Sequence, residues 1–193
     1  MIKNCYIDQS AIIEEGASIG QNCKIWHFSH VMSGAFIGEG SSLGQNVFVA
    51  SGAKIGDNVK IQNNVSVYEG VECEKNVFIG PSVVFTNVIN PRSEIVRKKE
   101  YQKTLIKRGA TIGANVTILC GVEIGNYAFI AAGSTISKNV PDFALAMGGT
   151  GKVVGWMSES GDRLFFDVNG IAFCQKTESR YRIKEGRVEK IDF

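Results

Sequence analysis

An apolar residue recurs at every sixth position over most of this chain, and this spacing restricts the possible folds more than any other feature. The series has fourteen members before an interruption and five after it. Its positions are Ile7, Ile13, Ile19, Ile25, Val31, Ile37, Leu43, Val49, Ile55, Ile61, Val67, Cys73, Ile79 and Phe85, then Ile112, Ile118, Ile124, Ile130 and Ile136. A period of six excludes an amphipathic α-helix, whose apolar stripe needs a period of about 3.6.

The residues around each member of the series predict short strands joined by tight corners. Small or β-branched residues precede it by two positions, as at Ala17 and Val65. Glycine often follows directly, and asparagine often follows three positions later, as at Gly20 and Asn22. Both residues tolerate positive φ. Three short strands then make one coil of a triangular solenoid, and the nineteen hexads make about six coils.

Composition and charge exclude several classes of protein. The chain has 193 residues, a net charge of +2 and five cysteines that form no CxxC pair. We therefore expect no nucleic-acid partner, no disulfide framework and no metal site. The N-terminal residues lack the apolar run of a signal peptide, and no stretch is long enough to cross a membrane. We expect a cytoplasmic protein that does not bind membranes.

The interruption of the repeat carries a concentrated positive charge. Between residues 90 and 108 there are seven basic and two acidic residues, a net charge of +5, which leaves −3 for the rest of the chain. A long loop in a compact solenoid is uncommon unless it has a function. The charge indicates a phosphorylated or carboxylated small ligand. A solvated, flexible surface loop is the alternative.

The C-terminal segment follows a different pattern. Apolar residues alternate around Asn169-Gly170, and a similar alternation surrounds Glu185-Gly186. Both patterns predict hairpins and hence a small antiparallel cap. We divide the chain into a solenoid domain, 1–152, with an inserted loop at 90–108, and a C-terminal β cap, 153–193.

The repeat, an aliphatic residue with glycine after it and a small residue four positions on, resembles the hexapeptide-repeat acyltransferase superfamily. The resemblance implies an all-β fold: a left-handed parallel β-helix, an exception to the usual right-handed crossover. The stretch "FTNVINPRSEIVRKKEYQKTLIKRGATIGANVTILCGVEIG", with "IWHFSHV" and "SLGQNVFV", is further similar to nucleotide-sugar N-acetyltransferases.

Within that group, the resemblance is narrowest to enzymes that acetylate the 3-amino group of UDP-2-acetamido-3-amino-2,3-dideoxy-D-glucuronate in bacterial O-antigen and lipopolysaccharide sugar biosynthesis. It implies a homotrimer that uses acetyl-CoA, with no metal. The chain departs from the family's usual closing G-N-P-A-R/K stretch, since it has "MGGTGKVVGW" at Met147 to Trp156.

The resemblance also implies site residues. Asn87 lies two positions after its apolar residue, off the corner asparagine series, and would hydrogen-bond the reacting amine. Arg97 would hold the uronate carboxylate, with Arg92, Lys98 and Tyr101 as further substrate-binding candidates. The candidates for the acetyl-CoA site are Cys120, Gly121, Ala131, Ala132, Lys138 and Lys152. No side-chain base is implied, and we expect His27 and His30 to serve in packing or subunit contacts.

Three alternative functions follow from the same residues. A neutral dTDP-3-amino-3,6-dideoxyhexose, or another amino sugar, is the nearest alternative substrate. A hexapeptide-repeat carbonic anhydrase needs three histidines for its zinc, and this chain has two. A non-catalytic β-helix scaffold would explain the repeat but neither the basic loop nor Asn87.

Overall fold

Residues 4–191 are described by the structure, which is a computed structural model. The chain winds through three parallel sheets, A, B and C, and each turn contributes one short strand to each sheet. Sheet A contains β1 (Tyr6–Ile7), β4 (Lys24–Ile25), β7 (Ser42–Leu43), β10 (Lys60–Ile61), β13 (Phe78–Ile79), β16 (Thr111–Ile112), β19 (Phe129–Ile130), β21 (Ala144–Met147) and β22 (Lys152–Trp156).

The other two solenoid sheets are built in the same way. Sheet B contains β2 (Ile12–Ile13), β5 (His30–Val31), β8 (Phe48–Val49), β11 (Ser66–Val67), β14 (Val84–Phe85), β17 (Thr117–Ile118) and β20 (Thr135–Ile136). Sheet C contains β3 (Ser18–Ile19), β6 (Phe36–Ile37), β9 (Lys54–Ile55), β12 (Val71–Cys73), β15 (Thr104–Ile106) and β18 (Glu123–Ile124). The predicted all-β solenoid is confirmed.

The period of six places the apolar series from Ile25 onward in the core, and Ile7, Ile13 and Ile19 pack against its first coils while partly buried. In a typical strand the first residue points outward and the second inward, as at Lys24 and Ile25 or Lys60 and Ile61. Ile25 is fully buried and Ile61 is 1% exposed. The small residues two positions earlier, such as Val59, are buried beside them, so one continuous apolar core runs along the axis.

Asparagines at the corners form the expected ladders. Asn58 and Asn76 have φ of 52° and 62°, the left-handed conformation that asparagine tolerates better than most residues. The Nδ2 of Asn58 donates to the Oδ1 of Asn76 at 2.8 Å, and the Nδ2 of Asn46 donates to the Oδ1 of Asn64 at 3.1 Å. These side chains tie successive coils together on the outside.

The solenoid is longer than the sequence predicts, with eight parallel strands in sheet A against about six predicted coils. The chain also rejoins the solenoid earlier than predicted. β15 pairs with β12 and β18, so Thr104 to Ile106 belong to sheet C and the predicted loop end at Arg108 is wrong. Ile106 fills the same core position as its neighbours and is fully buried.

The strand register measures the length of the insertion. Ser66 pairs with Val84, an offset of 18 residues, whereas Val84 pairs with Thr117, an offset of 33. The difference is fifteen residues. Sheets A and C show the same offset across this point, at Phe78 with Thr111 and at Cys73 with Ile106. The extra residues therefore leave the stacking of the coils unchanged.

The C-terminal residues form an antiparallel sheet of β23 (Ile171–Cys174), β24 (Ser179–Lys184) and β25 (Arg187–Ile191), which confirms the predicted cap. The Glu185-Gly186 turn joins β24 to β25 as predicted. The turn at Asn169-Gly170 exists, but the residues before it form no strand, and β23 pairs with β24 instead. β22 pairs antiparallel with β21 and so still belongs to sheet A.

Stacked aromatic rings attach this cap to the end of the solenoid. The ring of Tyr127 stacks on that of Phe143 at 5.6 Å, and Phe143 meets Tyr181 of β24 edge-on at 5.4 Å. Phe143 and Tyr181 belong to a second small apolar core. Within residues 4–191, no helix is long and apolar enough to cross a bilayer.

Candidate active site

The insertion, residues 87–103, leaves and rejoins the solenoid at a single corner between sheets B and C. The backbone carbonyl of Asn87 accepts a hydrogen bond from the amide of Gln102 at 3.0 Å. One residue earlier, the Oγ1 of Thr86 accepts from the amide of Cys120 at 2.9 Å. These two bonds close the neck of the insertion and attach it to the next coil.

Asn87 and two of the cofactor candidates meet at this neck. Gly121 has a φ of +86°, and a Cβ atom built on it would collide with the Oε1 of Gln102. The positive φ favours glycine here, whereas the clash involves only the far end of the flexible Gln102 side chain, which can move aside. The structure brings Asn87, Cys120 and Gly121 to the same corner through Thr86 and Gln102. Asn87 is partly exposed, whereas Cys120 is buried.

The four substrate-binding candidates all lie in the insertion. Arg92 bridges to Ile95 in a tight turn, Lys98 begins a single turn of 3-10 helix at Lys98–Glu100, and Tyr101 follows it, half-buried. Lys98 is exposed. Ile95 is 51% exposed, so this apolar residue of the insertion does not join the core.

Arg97 is the most constrained cation of the insertion. One terminal nitrogen of its guanidinium lies 2.7 Å from the Oε2 of Glu100, and its side chain is 28% exposed against 53% for Glu100. Its Nε is buried and has no hydrogen-bond partner among the described residues. The guanidinium therefore already binds one carboxylate and keeps one buried donor unused. This arrangement is suited to a second anionic or polar oxygen.

The positive charge of the insertion is smaller than the sequence suggests. Lys107 and Arg108 belong to the solenoid, since Lys107 pairs with Glu123 at 2.6 Å and Arg108 lies over the ring of Tyr127 at 5.3 Å. Five basic and two acidic residues remain in 87–103, a net charge of +3. The glutamate at 123 also holds the pKa of Lys107 above its ordinary value through a hydrogen bond.

The remaining cofactor candidates divide between two corners. Lys138 follows β20, so it lies one coil beyond Cys120 at the same corner as the insertion, and it is exposed. Ala131 and Ala132 follow β19 and lie at the corner between sheets A and B instead. Lys152 starts β22, after the turn in which Gly148 binds back to Ser134 and Thr135. The outward face of β17 and β20 separates the two groups.

Each of the two histidines is paired with a carboxylate far from the insertion. The Nε2 of His27 lies 3.2 Å from Asp8, and that of His30 lies 2.7 Å from Glu14. His30 in β5 is separated from Val84 in β14 by two intervening strands of sheet B, a distance of roughly 14 Å. No group of three or more His, Cys, Asp or Glu side chains in residues 4–191 could hold a metal ion.

Sequence reasoning missed Gln102 and an exposed aromatic group at Trp26 and Phe28. Gln102 gives no signal in the sequence, because its role depends on which coil the insertion returns to. Phe28 does give one. It lies three positions after Ile25, where asparagine, serine or glycine is the usual residue and Tyr127 is another aromatic exception.

Comparison with known families assigns the chain to one of them. The model of the bacterial transferase hexapeptide repeat (six repeats) matches residues 16–51, 52–87 and 103–138, more than half of the chain. The chain belongs to the bacterial hexapeptide-repeat transferases. The model of the succinyl-transferase hexapeptide repeat also matches residues 34–69. The matches stop at 87 and resume at 103, so the insertion of this hexapeptide-repeat protein lies outside the family pattern.

Two curated relatives illustrate the similarity. The dTDP-3-amino-3,6-dideoxy-α-D-galactopyranose 3-N-acetyltransferase of Aneurinibacillus thermoaerophilus is 36% identical over 94 residues, 48% of this chain and 47% of that enzyme. The galactoside O-acetyltransferase of Lactococcus lactis is 37% identical over 75 residues, 37% of this chain and 36% of that enzyme. The hexapeptide-repeat protein thus matches about half of these relatives' length, or less.

Solved structures share the fold of this hexapeptide-repeat protein. A hexapeptide-repeat acetyltransferase of Vibrio cholerae, complexed with acetyl-CoA, is 23% identical with a TM-score of 0.52, covering 64% of this chain and 71% of that one. AntD, an N-acyltransferase of Bacillus cereus in complex with dTDP-4-amino-4,6-dideoxyglucose and CoA, is 18% identical with a TM-score of 0.54, covering 81% and 82%. These similarities establish the parallel β-solenoid.

Proposed function

We propose that this hexapeptide-repeat protein is an acetyl-CoA-dependent N-acetyltransferase that acts on the amino group of a nucleotide-linked sugar. The observation that carries the proposal is the seating of the insertion. Asn87, Cys120 and Gly121 lie at the same corner, to which the cationic insertion is attached. The acetyltransferase and amino-sugar enzymes among the relatives support the proposal.

The chemistry needs little beyond positioning. The neutral amine attacks the thioester carbonyl, the C–S bond breaks, and the proton lost by the amine goes to the departing CoA thiolate. The amide of Asn87 would orient the amine, and proximity of this kind lowers the barrier substantially. A sugar amine titrates roughly one to two units above neutrality, so its deprotonation costs only about 1.4 kcal/mol per unit. A side-chain base is therefore not required.

For the substrate we propose UDP-2-acetamido-3-amino-2,3-dideoxy-D-glucuronate, which would place the protein in O-antigen sugar biosynthesis in the cytoplasm. Arg97 supports this choice. Its pairing with Glu100 at 2.7 Å shows that a carboxylate fits against the guanidinium, and the unused Nε leaves a donor for another. A uronate can replace Glu100 because that side chain is half exposed and free to move away.

A second candidate substrate is a dTDP-3-amino-3,6-dideoxyhexose, which lacks the carboxylate. The relative from Aneurinibacillus thermoaerophilus, whose name carries that sugar class, favours it. The two substrates differ at C6, where only the uronate can meet Arg97.

We further propose that the active form is a homotrimer in which the insertion packs on a neighbouring copy. Three apolar side chains of this region are exposed in the single chain: Ile89 at 58%, Ile95 at 51% and Val96 at 86%. Exposed clusters of this kind indicate a contact surface. Analytical ultracentrifugation at several protein concentrations tests the homotrimer, and a strict monomer that retains full activity would contradict it.

The deciding experiment is a thiol-release assay with acetyl-CoA and each of the two amino sugars. Turnover with the uronate alone supports the substrate proposed here. Turnover with the dTDP sugar alone rejects that substrate and retains the enzyme class. No turnover with any amino sugar, and no rise in melting temperature with CoA, would favour the non-catalytic scaffold, because a ligand that binds the native state must stabilise it.

A further inference from the structure

Three aromatic residues occupy left-handed corners of the solenoid: Phe28 at φ 58°, Tyr127 at 53° and Phe143 at 61°. Positive φ is unfavourable for bulky residues, by about 1–2 kcal/mol. Tyr127 and Phe143 offset this cost by stacking on each other and, through Phe143, on Tyr181. Phe28 is 63% exposed, so burial does not offset its cost in the same way.

Phe28 is one edge of a continuous aromatic surface, which we call the aromatic corner: Tyr6, Trp26, His27 and Phe28. The centroids of Tyr6 and Trp26 are 5.0 Å apart, those of Trp26 and His27 are 6.4 Å apart, and those of His27 and Phe28 are 6.2 Å apart. The rings of Trp26 and His27 are nearly parallel, at 17°. Tyr6 and Trp26 are 45% and 40% exposed.

A network of hydrogen bonds fixes the aromatic corner. Asp8 accepts from the amide and hydroxyl of Ser10 at 2.9 and 2.6 Å and from the hydroxyl of Tyr6 at 3.1 Å, and it pairs with His27 at 3.2 Å. The Oγ of Ser10 accepts from the amide of Phe28 at 3.0 Å. The rings are thus held in place before any ligand arrives, which reduces the entropic cost of binding.

A cleft of about 220 Å³ opens beside Trp26 and His27. Its other polar side chains are Ser42, Gln45, Gln62 and Asn63, and none of the side chains that line it is acidic or a fixed cation. The backbone amide of Gln45 donates to the Oδ1 of Asn63 at 2.9 Å, so this side of the cleft is also ordered. The cleft therefore offers flat apolar faces together with neutral donors and acceptors.

Two lysines flank the cleft on sheet A. Ser42 of β7 pairs with Lys24 on one side and with Lys60 on the other. Both lysines are exposed, and residues 4–191 contain no carboxylate in an ion pair with either. A ligand with a neutral planar ring and an attached anion matches this combination of surfaces.

We propose that the aromatic corner and its cleft bind the base of a nucleotide. The base stacks against Trp26 and His27, its polar edge meets the amides of Gln45 and Gln62, and its phosphates point toward Lys24 and Lys60. Stacking on an aromatic side chain is a common way to hold a base. The inference builds on the proposed function, because both substrates of that reaction carry a nucleotide. A contact with a second copy is the rival use of these rings, and the oligomeric state of the substituted protein distinguishes it.

The test uses the full-length protein and three probes: UMP, dTMP and CoA. The chain has two tryptophans, so Trp156→Phe leaves Trp26 as the only one. Saturable quenching of its fluorescence is expected with at least one probe. Quenching by UMP or dTMP would identify the sugar nucleotide as the source of the base. Quenching by CoA alone would identify the adenine of the cofactor as that base.

Substitutions then decide whether the indole ring of Trp26 contributes to binding of the base. Trp26→Ala removes the fluorescent reporter, so its affinity for the quenching probe is measured by titration calorimetry. It should bind that probe at least about tenfold more weakly, equivalent to about 1.4 kcal/mol. Gln62→Ala should weaken it as well and serves if Trp26→Ala fails to fold. Phe36→Ala, which removes an exposed ring from sheet C, should leave the affinity unchanged.

Three outcomes would overturn the inference: no quenching by any probe, an affinity within twofold of wild type in both Trp26→Ala and Gln62→Ala, or dissociation of an oligomer with unchanged affinity. The experiments distinguish a wrong assignment of the nucleotide site from a wrong assignment of the enzyme activity. Normal thiol release and KM in folded Trp26→Ala would reject the site alone. Nucleotide binding without thiol release would reject the enzyme alone.

Discussion

The carbonyl of Asn87 and the amide of Gln102 are joined by a hydrogen bond of 3.0 Å, although a whole insertion separates them in the sequence. This bond returns the chain to the corner from which it departed. As a result, Asn87 of one coil lies at the same corner as Cys120 and Gly121 of the next, and the position of Asn87 depends on the closure of the neck.

Replacing Asn87 by Ala should reduce turnover by about 100-fold, because a misplaced amine loses a contribution of that size from positioning. The melting temperature should change little, since Asn87 is partly exposed and its carbonyl bond is kept. Steady-state kinetics and thermal melting measure the two effects. Asn58→Gly is the control, as it removes a corner asparagine far from the insertion. Near-normal turnover in Asn87→Ala would exclude the residue from the site.

Replacing Arg97 by Ala should lower kcat/KM for the uronate by tenfold or more and affect a neutral amino sugar far less, because a charge-assisted hydrogen bond is lost only with the carboxylate. Arg97→Lys should recover only part of the loss, since ammonium cannot bind bidentately. Lys99→Ala, an exposed cation of the same insertion, is the matched control. Equal losses on both substrates would remove Arg97 from carboxylate binding.

Replacing Gly121 by Ala should displace the side-chain amide of Gln102, whose Oε1 the new Cβ would meet, and so loosen this end of the insertion. Gly40→Ala is the matched control. Gly40 also has positive φ, at 67°, but a Cβ there meets nothing within 4 Å. Both variants should lose about 1 kcal/mol of stability from backbone strain. Only Gly121→Ala should also increase hydrogen exchange in residues 87–103 and reduce turnover, and identical behaviour of the two would refute the seating.

Acid sensitivity should reveal the Glu14 contact. Hydrogen bonds to the carboxylate hold the pKa of Glu14 below its ordinary value of 4.5. The larger effect comes from the backbone amide of Ser33 and the smaller from the side chain of His30. A depressed pKa stabilises the fold above the unfolded value and loses that effect as the pH falls through the folded value. Glu14→Gln should therefore lower the melting temperature at pH 7 and converge with wild type below about pH 4. Glu15→Gln, at an exposed neighbour, should show no such convergence.

The C-terminal cap should depend on Phe143, which is 7% exposed between Tyr127 and Tyr181. Phe143→Ala should cost about 3–5 kcal/mol of local stability, the range for buried Phe. Hydrogen exchange in β23, β24 and β25 should rise while the solenoid stays protected. Phe173→Ala, at a 54% exposed ring of β23, should leave exchange unchanged.

The sequence predicts the core of this fold well because one spacing specifies it. Residues such as Ile25 and Ile61 are buried as their place in the series requires. Ile106 was left out of the series although it lies six positions before Ile112. Lys107 and Arg108 next to it were counted with the charge of the inserted loop, whereas Lys107 pairs with Glu123 and Arg108 lies over the ring of Tyr127.

The site is less accessible to sequence reasoning than the core. Asn87 meets Cys120 and Gly121 only because the insertion returns to the same corner, and a hexad pattern does not encode how many residues leave the stack. Conversely, Ala131 and Lys138 are seven residues apart but lie at different corners, because a strand of sheet B intervenes. The pairing of Arg97 with Glu100 depends on a local turn that no periodic pattern describes.

The offset of 33 residues that all three sheets share at the insertion has an evolutionary meaning. A segment added at a corner alters neither the core nor the register, and the entropic cost of closing it grows only slowly with its length. Such a fold can acquire, exchange or lose a substrate-recognition element in one genetic event. Diversity in what a solenoid of this kind recognises can therefore come from the lengths of its corner segments while the repeat itself stays constant.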